Sequence, residues 1–139
     1  MATLTRTGSA PVLRTDFSDQ QAWLAVRAAI VAPSDGDGFL ADVEFIDDPA
    51  FDGWTTQQIL AMATREAIGF QSCIFVVDRI TLTSADRPVL VIDLLEERGR
   101  EFRTVASELY QIENNLSISN MDFFEFADAV QADGVFRGF

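Results

Sequence analysis

The sequence predicts a single-domain α/β protein with a mixed five-stranded sheet and helices on both faces. Three observations carry this. Cys73 to Val77 is an unbroken apolar run bounded by Gly69 and by Asp78-Arg79. A strand sends alternate side chains to opposite faces, so Cys73, Phe75 and Val77 would line one face and Ile74 and Val76 the other. Both faces are apolar, which is how an interior strand of a helix-covered sheet reads. Before this run, strand-like and helix-like segments alternate. After it, two further strand patterns are joined by a turn alone.

Taken in order, residues 1–10 are rich in Thr, Ser and Gly and are expected to be a flexible segment, with the domain over 11–139. Val12 to Phe17 is a first strand, and Pro11 is tolerated at its start. Ser18-Asp19-Gln20-Gln21 has the form of a capping box and opens a helix to about Val31, with Trp23, Val26 and Ile30 on one face. Pro33 ends it, and residues 34–38 form a loop. Ala41 to Ile46 alternates apolar and acidic residues, as a half-buried edge strand does. Thr55 to Gln58 is a second capping box, and its helix is expected to reach Ala67, with Gly69 near the C-cap. The central run follows. Thr81 to Pro88 reads as a loop, Val89 to Leu95 as a strand with Asp93 the one intruder, and Glu101 to Val105 as its hairpin partner. Ser107 starts a short helix through Leu109, Ile112 and Leu116. Phe123, Phe126, Ala127 and Val130 stand at helical spacing in the last one, and Gly134 stops it, with Val135 and Phe136 folding back as a seal. Right-handed crossovers make strands 1 to 3 parallel, and hairpins make strands 3 to 5 an antiparallel meander. The expected order is 2-1-3-4-5.

Composition removes whole classes of chemistry. The net charge of the 139 residues is −12, with no His, one Cys, and ten cations that are all Arg. Binding nucleic acid requires cationic neutralisation of phosphates, so a direct nucleic-acid partner is disfavoured, as is an anionic membrane surface. His-based triads, a Lys-dependent phosphate loop, Schiff bases and most zinc and copper sites lack their residues. No apolar stretch approaches the roughly 18 residues of a membrane span, and a cytoplasmic location is expected. Cys73 reads as a small buried hydrophobe.

Carboxylate chemistry remains. C-terminal ends of parallel strands share one edge of the sheet, where ligands of open α/β folds bind. There the chain carries Asp16, Asp47, Asp48 and Asp78 beside Arg79. Converging acids repel unless a cation intervenes, so the one metal expectation is a hard ion, Mg²⁺ or Ca²⁺; otherwise no cofactor is expected. Phosphoacceptor receiver domains also gather acids there, but the acid pair is misplaced and their Lys is missing, which excludes that identity. Asp35-Gly36-Asp37-Gly38 lacks the remaining ligands of a calcium loop. A second constellation is the base-free run of Asp35, Asp37, Asp42, Glu44, Asp47, Asp48 and Asp52, interleaved with Phe39, Phe45, Phe51 and Trp54. Such a face suits a basic protein partner, because charge speeds encounter and aromatics anchor. In the third, Glu113 to Asn120, consecutive amides are expected to fix a bend between helices by hydrogen bonds to the backbone, with a ligand-binding role the alternative.

Several phrases together resemble a family of small acidic actinobacterial proteins classed as a domain of unknown function. They are residues 12–19, 43–53, Phe75 to Arg79, 113–123, and the ending over 126–130 and 133–139. The resemblance implies one domain and carries over no activity, cofactor or catalytic residue. The residues therefore point to a non-enzymatic binding or regulatory module that masks a basic partner. The alternative is a small enzyme or ligand-binding protein using the strand-end carboxylates. A homo-oligomer is a third reading.

Overall fold

A computed structural model of the protein describes residues 3–139. The strands are β1 (Ala10–Arg14), β2 (Val43–Ile46), β3 (Cys73–Val77), β4 (Val89–Asp93), β5 (Glu101–Thr104) and β6 (Val135–Phe136). They form one sheet in the order β2-β1-β3-β4-β5-β6. β1 runs parallel to both β2 and β3, while β3, β4 and β5 form an antiparallel meander. The expected order of the first five strands holds. The sixth is new: Val135 and Phe136 do not merely fold back but pair in parallel with Arg103 and Thr104 of β5.

Helices cover both faces. On one lie α1 (Gln20–Val31), α4 (Arg79–Thr83), α5 (Leu109–Ser117) and α6 (Phe123–Ala127). They pack Trp23, Val26, Ile112 and Phe126 against Val12, Phe75, Val77 and Val91 of the sheet. On the other lie α2 (Thr56–Met62) and α3 (Arg65–Ile68), which bury Ile59 and Ile68 against Leu13, Ile74, Val76 and Ile92. The alternation within β3 therefore divides Phe75 and Val77 from Ile74 and Val76, and all five of its residues are buried.

Local chemistry explains where the elements differ from expectation. Asp19 rather than Ser18 caps α1, accepting from the Ala22 amide at 3.0 Å. Thr55 and Gln58 do form a reciprocal box at the start of α2. The expected single helix to Ala67 is broken at Ala63, because the Thr64 hydroxyl accepts from the Ala67 amide and starts α3 afresh. Arg98 closes the end of α2 by donating to the carbonyls of Leu60 and Ala63. The expected loop after β3 opens with the short helix α4, whose N-cap is Asp78. The last helix is only five residues long. Of the N-terminal segment expected to be flexible, Met1 and Ala2 lie outside the described residues. Leu4 and Thr7 are buried, and the Thr7 amide donates to the Ile68 carbonyl at 3.2 Å. No helix among the described residues is long and apolar enough to cross a membrane.

Candidate functional site

The edge at the C-terminal ends of β1, β2 and β3 is a set of finished pairs. Arg14 is 3% exposed. Its guanidinium lies over the rings of Phe17 at 4.2 Å and Trp23 at 4.9 Å. Nε donates to the Asp16 carbonyl at 3.0 Å, and Nη1 to Asp47 Oδ1 at 3.1 Å. Asp16 turns its carboxylate to the amide and hydroxyl of Ser18. Asp48 accepts from the Ala50 amide at 2.9 Å and caps a 3-10 turn over Pro49–Phe51. Asp78 accepts from the amide and hydroxyl of Thr81, and both its oxygens are held by Arg103 at 3.0 and 2.7 Å. Burial pushes the Asp78 carboxyl up, but the hydrogen bonds and charge of Arg103, with the Thr81 donors, outweigh it and hold the group below its ordinary value. Arg79, expected beside Asp78 in a site, points to solvent. The four acids are thus separated by their own partners. Among the described residues no group of three or more Cys, Asp or Glu side chains is placed to hold a metal ion.

The acidic run is divided in a similar way. Asp35, Asp37, Asp42, Glu44 and Asp52 are exposed. Asp42 accepts from the Ser9 hydroxyl at 2.8 Å, and Glu44 from the Gly8 amide at 3.4 Å. The aromatics belong mostly to the interior. Phe45 meets Trp23 edge-on, and Trp54, expected on the partner face, packs edge-on against buried Phe51 at 4.7 Å. Phe39 alone stays exposed, stacked on Tyr110.

The opposite edge, where β1, β2 and β3 begin, holds a hollow of about 230 Å³. Its wall includes Ser9, Asp42, Phe70, Gln71, Ser72, Cys73, Glu113, Leu116 and Ser117. Glu113 opens the run that sequence reasoning assigned to a bend; that its carboxylate is buried was missed. It lies on α5 among Leu109, Ile112 and Leu116, the buried stripe of that helix, and is 5% exposed. A carboxylate at the fourth position after Leu109 and the third before Leu116 was the available signal. Its Oε1 accepts from the Asp42 amide at 2.6 Å and from Asn114 Nδ2 at 2.8 Å, tying α5 to the entry of β2. Asn114 and Asn115 lie inside α5 rather than between helices, and Asn115 Oδ1 accepts from Asn120 Nδ2 across the bend that follows.

Nearby groups sharpen the character of this edge. Cys73 forms part of the wall, and burial, then the charges of Asp93 and Glu113, push its thiol far above the ordinary range, so it is an unreactive packing group. Asp93 is buried and accepts from the amides of Leu95, Glu96 and Glu97, which fixes the β4–β5 turn. A hydrogen bond with Asp122, with desolvation and the surrounding carboxylates, holds Glu96 above the usual carboxylate range. Phe70, Leu95 and Ile118 are 57%, 50% and 73% exposed around the same edge.

The likeness read from the sequence is borne out at the level of the family. A search of curated proteins returned no match. Residues 9–139, covering the whole sheet but for the lead-in to β1, match the family described as domain of unknown function DUF6924, and the chain belongs to that family.

Proposed function

We propose that the protein is a non-enzymatic binding module whose acidic surface takes a basic protein partner. The carrying observation is how the charges are spent. Arg14, Arg100, Arg103 and Arg137 are committed to internal ion pairs with Asp47, Glu97, Asp128, Asp78, Asp86 and Asp133. Of the seven acids between Asp35 and Asp52, Asp47 alone is in an ion pair among the described residues. The field leaving edge strand β2 and its flanking loops is therefore negative, and such a field raises association rates with a basic surface. Masking of a basic partner, as immunity proteins mask nucleases, is the concrete version and rests on analogy.

The test is capture of partners at roughly 0.05 M and roughly 0.5 M salt, where screening differs several-fold in range. A basic partner retained at low salt and released at high salt, and weakened by neutralising Asp35, Asp37, Glu44 and Asp52 together, supports the reading. Binding indifferent to salt and to those four substitutions defeats it.

A further inference from the structure

The hollow at the N-terminal edge is short of free side-chain hydrogen-bond donors. The Ser9 hydroxyl is spent on Asp42, and the Ser72 hydroxyl on the Leu116 carbonyl. The Ser117 hydroxyl is spent on the Asn114 carbonyl, and the Gln71 amide nitrogen donates to the carbonyl and hydroxyl oxygens of Thr7. The side-chain groups left over are acceptors. Glu113 Oε2 makes no hydrogen bond among the described residues, although its residue is more than nine-tenths buried. Among the described residues no side-chain nitrogen or oxygen is sealed away without a partner, so Oε2 is reached by solvent, and Glu113 lines the hollow. Asp42 adds a second carboxylate, with Oδ1 alone engaged by a side chain. No Arg lines the hollow. Phe70 and Leu116 supply apolar wall.

We propose that this hollow binds one organic cation, a guanidinium or ammonium on a short aliphatic stem. Glu113 and Asp42 receive its donors, and Phe70 and Leu116 lie along the stem. Solvent meets the open oxygen when the hollow is empty, and a cation that replaces that water gains charge-assisted bonds to a carboxylate the chain itself leaves without a cationic partner. The space equals about eight waters at roughly 30 Å³ each, enough for the head group and a few carbons. A planar guanidinium can meet both carboxylates and stack on the Phe70 face, as such groups do. The ligand is either free or the Arg side chain of a protein. Asp42 belongs to both this site and the acidic surface, but Glu113 belongs to this site alone, so neutralising Asp35, Asp37, Glu44 and Asp52 tests the surface without touching the hollow.

Calorimetric titration of the full chain with butylguanidinium, with a capped Gly-Arg-Gly peptide, and with butanol as the neutral control tests it. The expected result is saturable binding of one cation per chain, none of butanol, and a loss of roughly tenfold or more in Glu113→Gln. Asp42→Asn should weaken binding several-fold, and it decides the matter if Glu113→Gln does not fold. Preference for the peptide over butylguanidinium assigns the source to a protein, and the reverse assigns it to a small molecule. Cation binding that is unchanged in both variants, or that falls equally when Asp35, Asp37, Glu44 and Asp52 are neutralised, overturns the site and leaves a diffuse charge effect.

Discussion

The two edges of the sheet carry the same kinds of residue and use them in opposite ways. At the C-terminal edge every acid singled out from the sequence has a partner: Arg14 for Asp47, Arg103 for Asp78, backbone amides for Asp16 and Asp48. At the N-terminal edge Glu113 is deeper than any of them, yet one of its oxygens is idle. Removing one partner of a half-buried pair leaves the other charge uncompensated, whereas the Glu113 carboxylate has no cationic partner to lose. The difference teaches that the edge where α/β ligands usually bind is, in this protein, an architectural joint. The edge where strands begin retains the unspent chemistry.

That contrast can be broken by measurement. Arg14→Met should cost most, about 3 kcal/mol in urea unfolding, because the most buried guanidinium of the edge loses its contacts with two aromatic rings and its bonds to the Asp16 carbonyl and to Asp47. Arg103→Met should cost about 2 kcal/mol, less because the Arg103 side chain is itself more solvated than that of Arg14, at 19% against 4% exposure. A pH series sharpens the second case. The folded-state value of Asp78 is depressed, so its contribution is fully present above the unfolded value near 3.9 and is lost as pH falls through the folded one. Wild type should therefore lose more stability than Arg103→Met below about pH 4. The smallest effect belongs to the other edge. Glu113→Gln keeps the acceptor for the Asp42 amide and removes an idle charge, so stability should change by about 0.5 kcal/mol or less, in either direction. A loss as large as that of Arg103→Met would show that both edges are structural and erase the contrast.

Much of this was readable beforehand, and what escaped has a physical reason. β3 declared itself because five consecutive apolar side chains need cover on both faces. The Thr55 box and the stripe of α1 are local signals within one or two turns, and both held. Helix α4 was hidden because Ile80, Thr81 and Thr83 are β-branched and favour helix poorly. It forms because Asp78 and Thr81 cap each other across its first turn. β6 is two residues long, and what makes it a strand is β5, some thirty residues away, which no local pattern announces. The same holds for the site residues. Asp78 was placed at the right end of the right strand, but its fate was decided by Arg103, twenty-five positions on. Trp54 looked like an anchor for a partner because a sequence does not show that Phe51 is waiting beside it.

The central strand has a consequence outside the folded state. Cys73–Val77 is five apolar residues without charge, glycine or proline, the type of segment that stacks with copies of itself into fibrils. In the native sheet β1 and β4 occupy both of its edges. β1 is more than sixty positions upstream by register, with Val12 opposite Phe75. A newly made or unfolding chain must therefore close a long loop before that edge is covered, and until then a second chain competes for it. Repulsion between molecules of net charge −12 keeps competitors apart at neutral pH. The acidity of this protein thus doubles as its guard against aggregation, and the guard fails as the carboxylates protonate: refolding yield should fall with acidification well before the native protein itself unfolds.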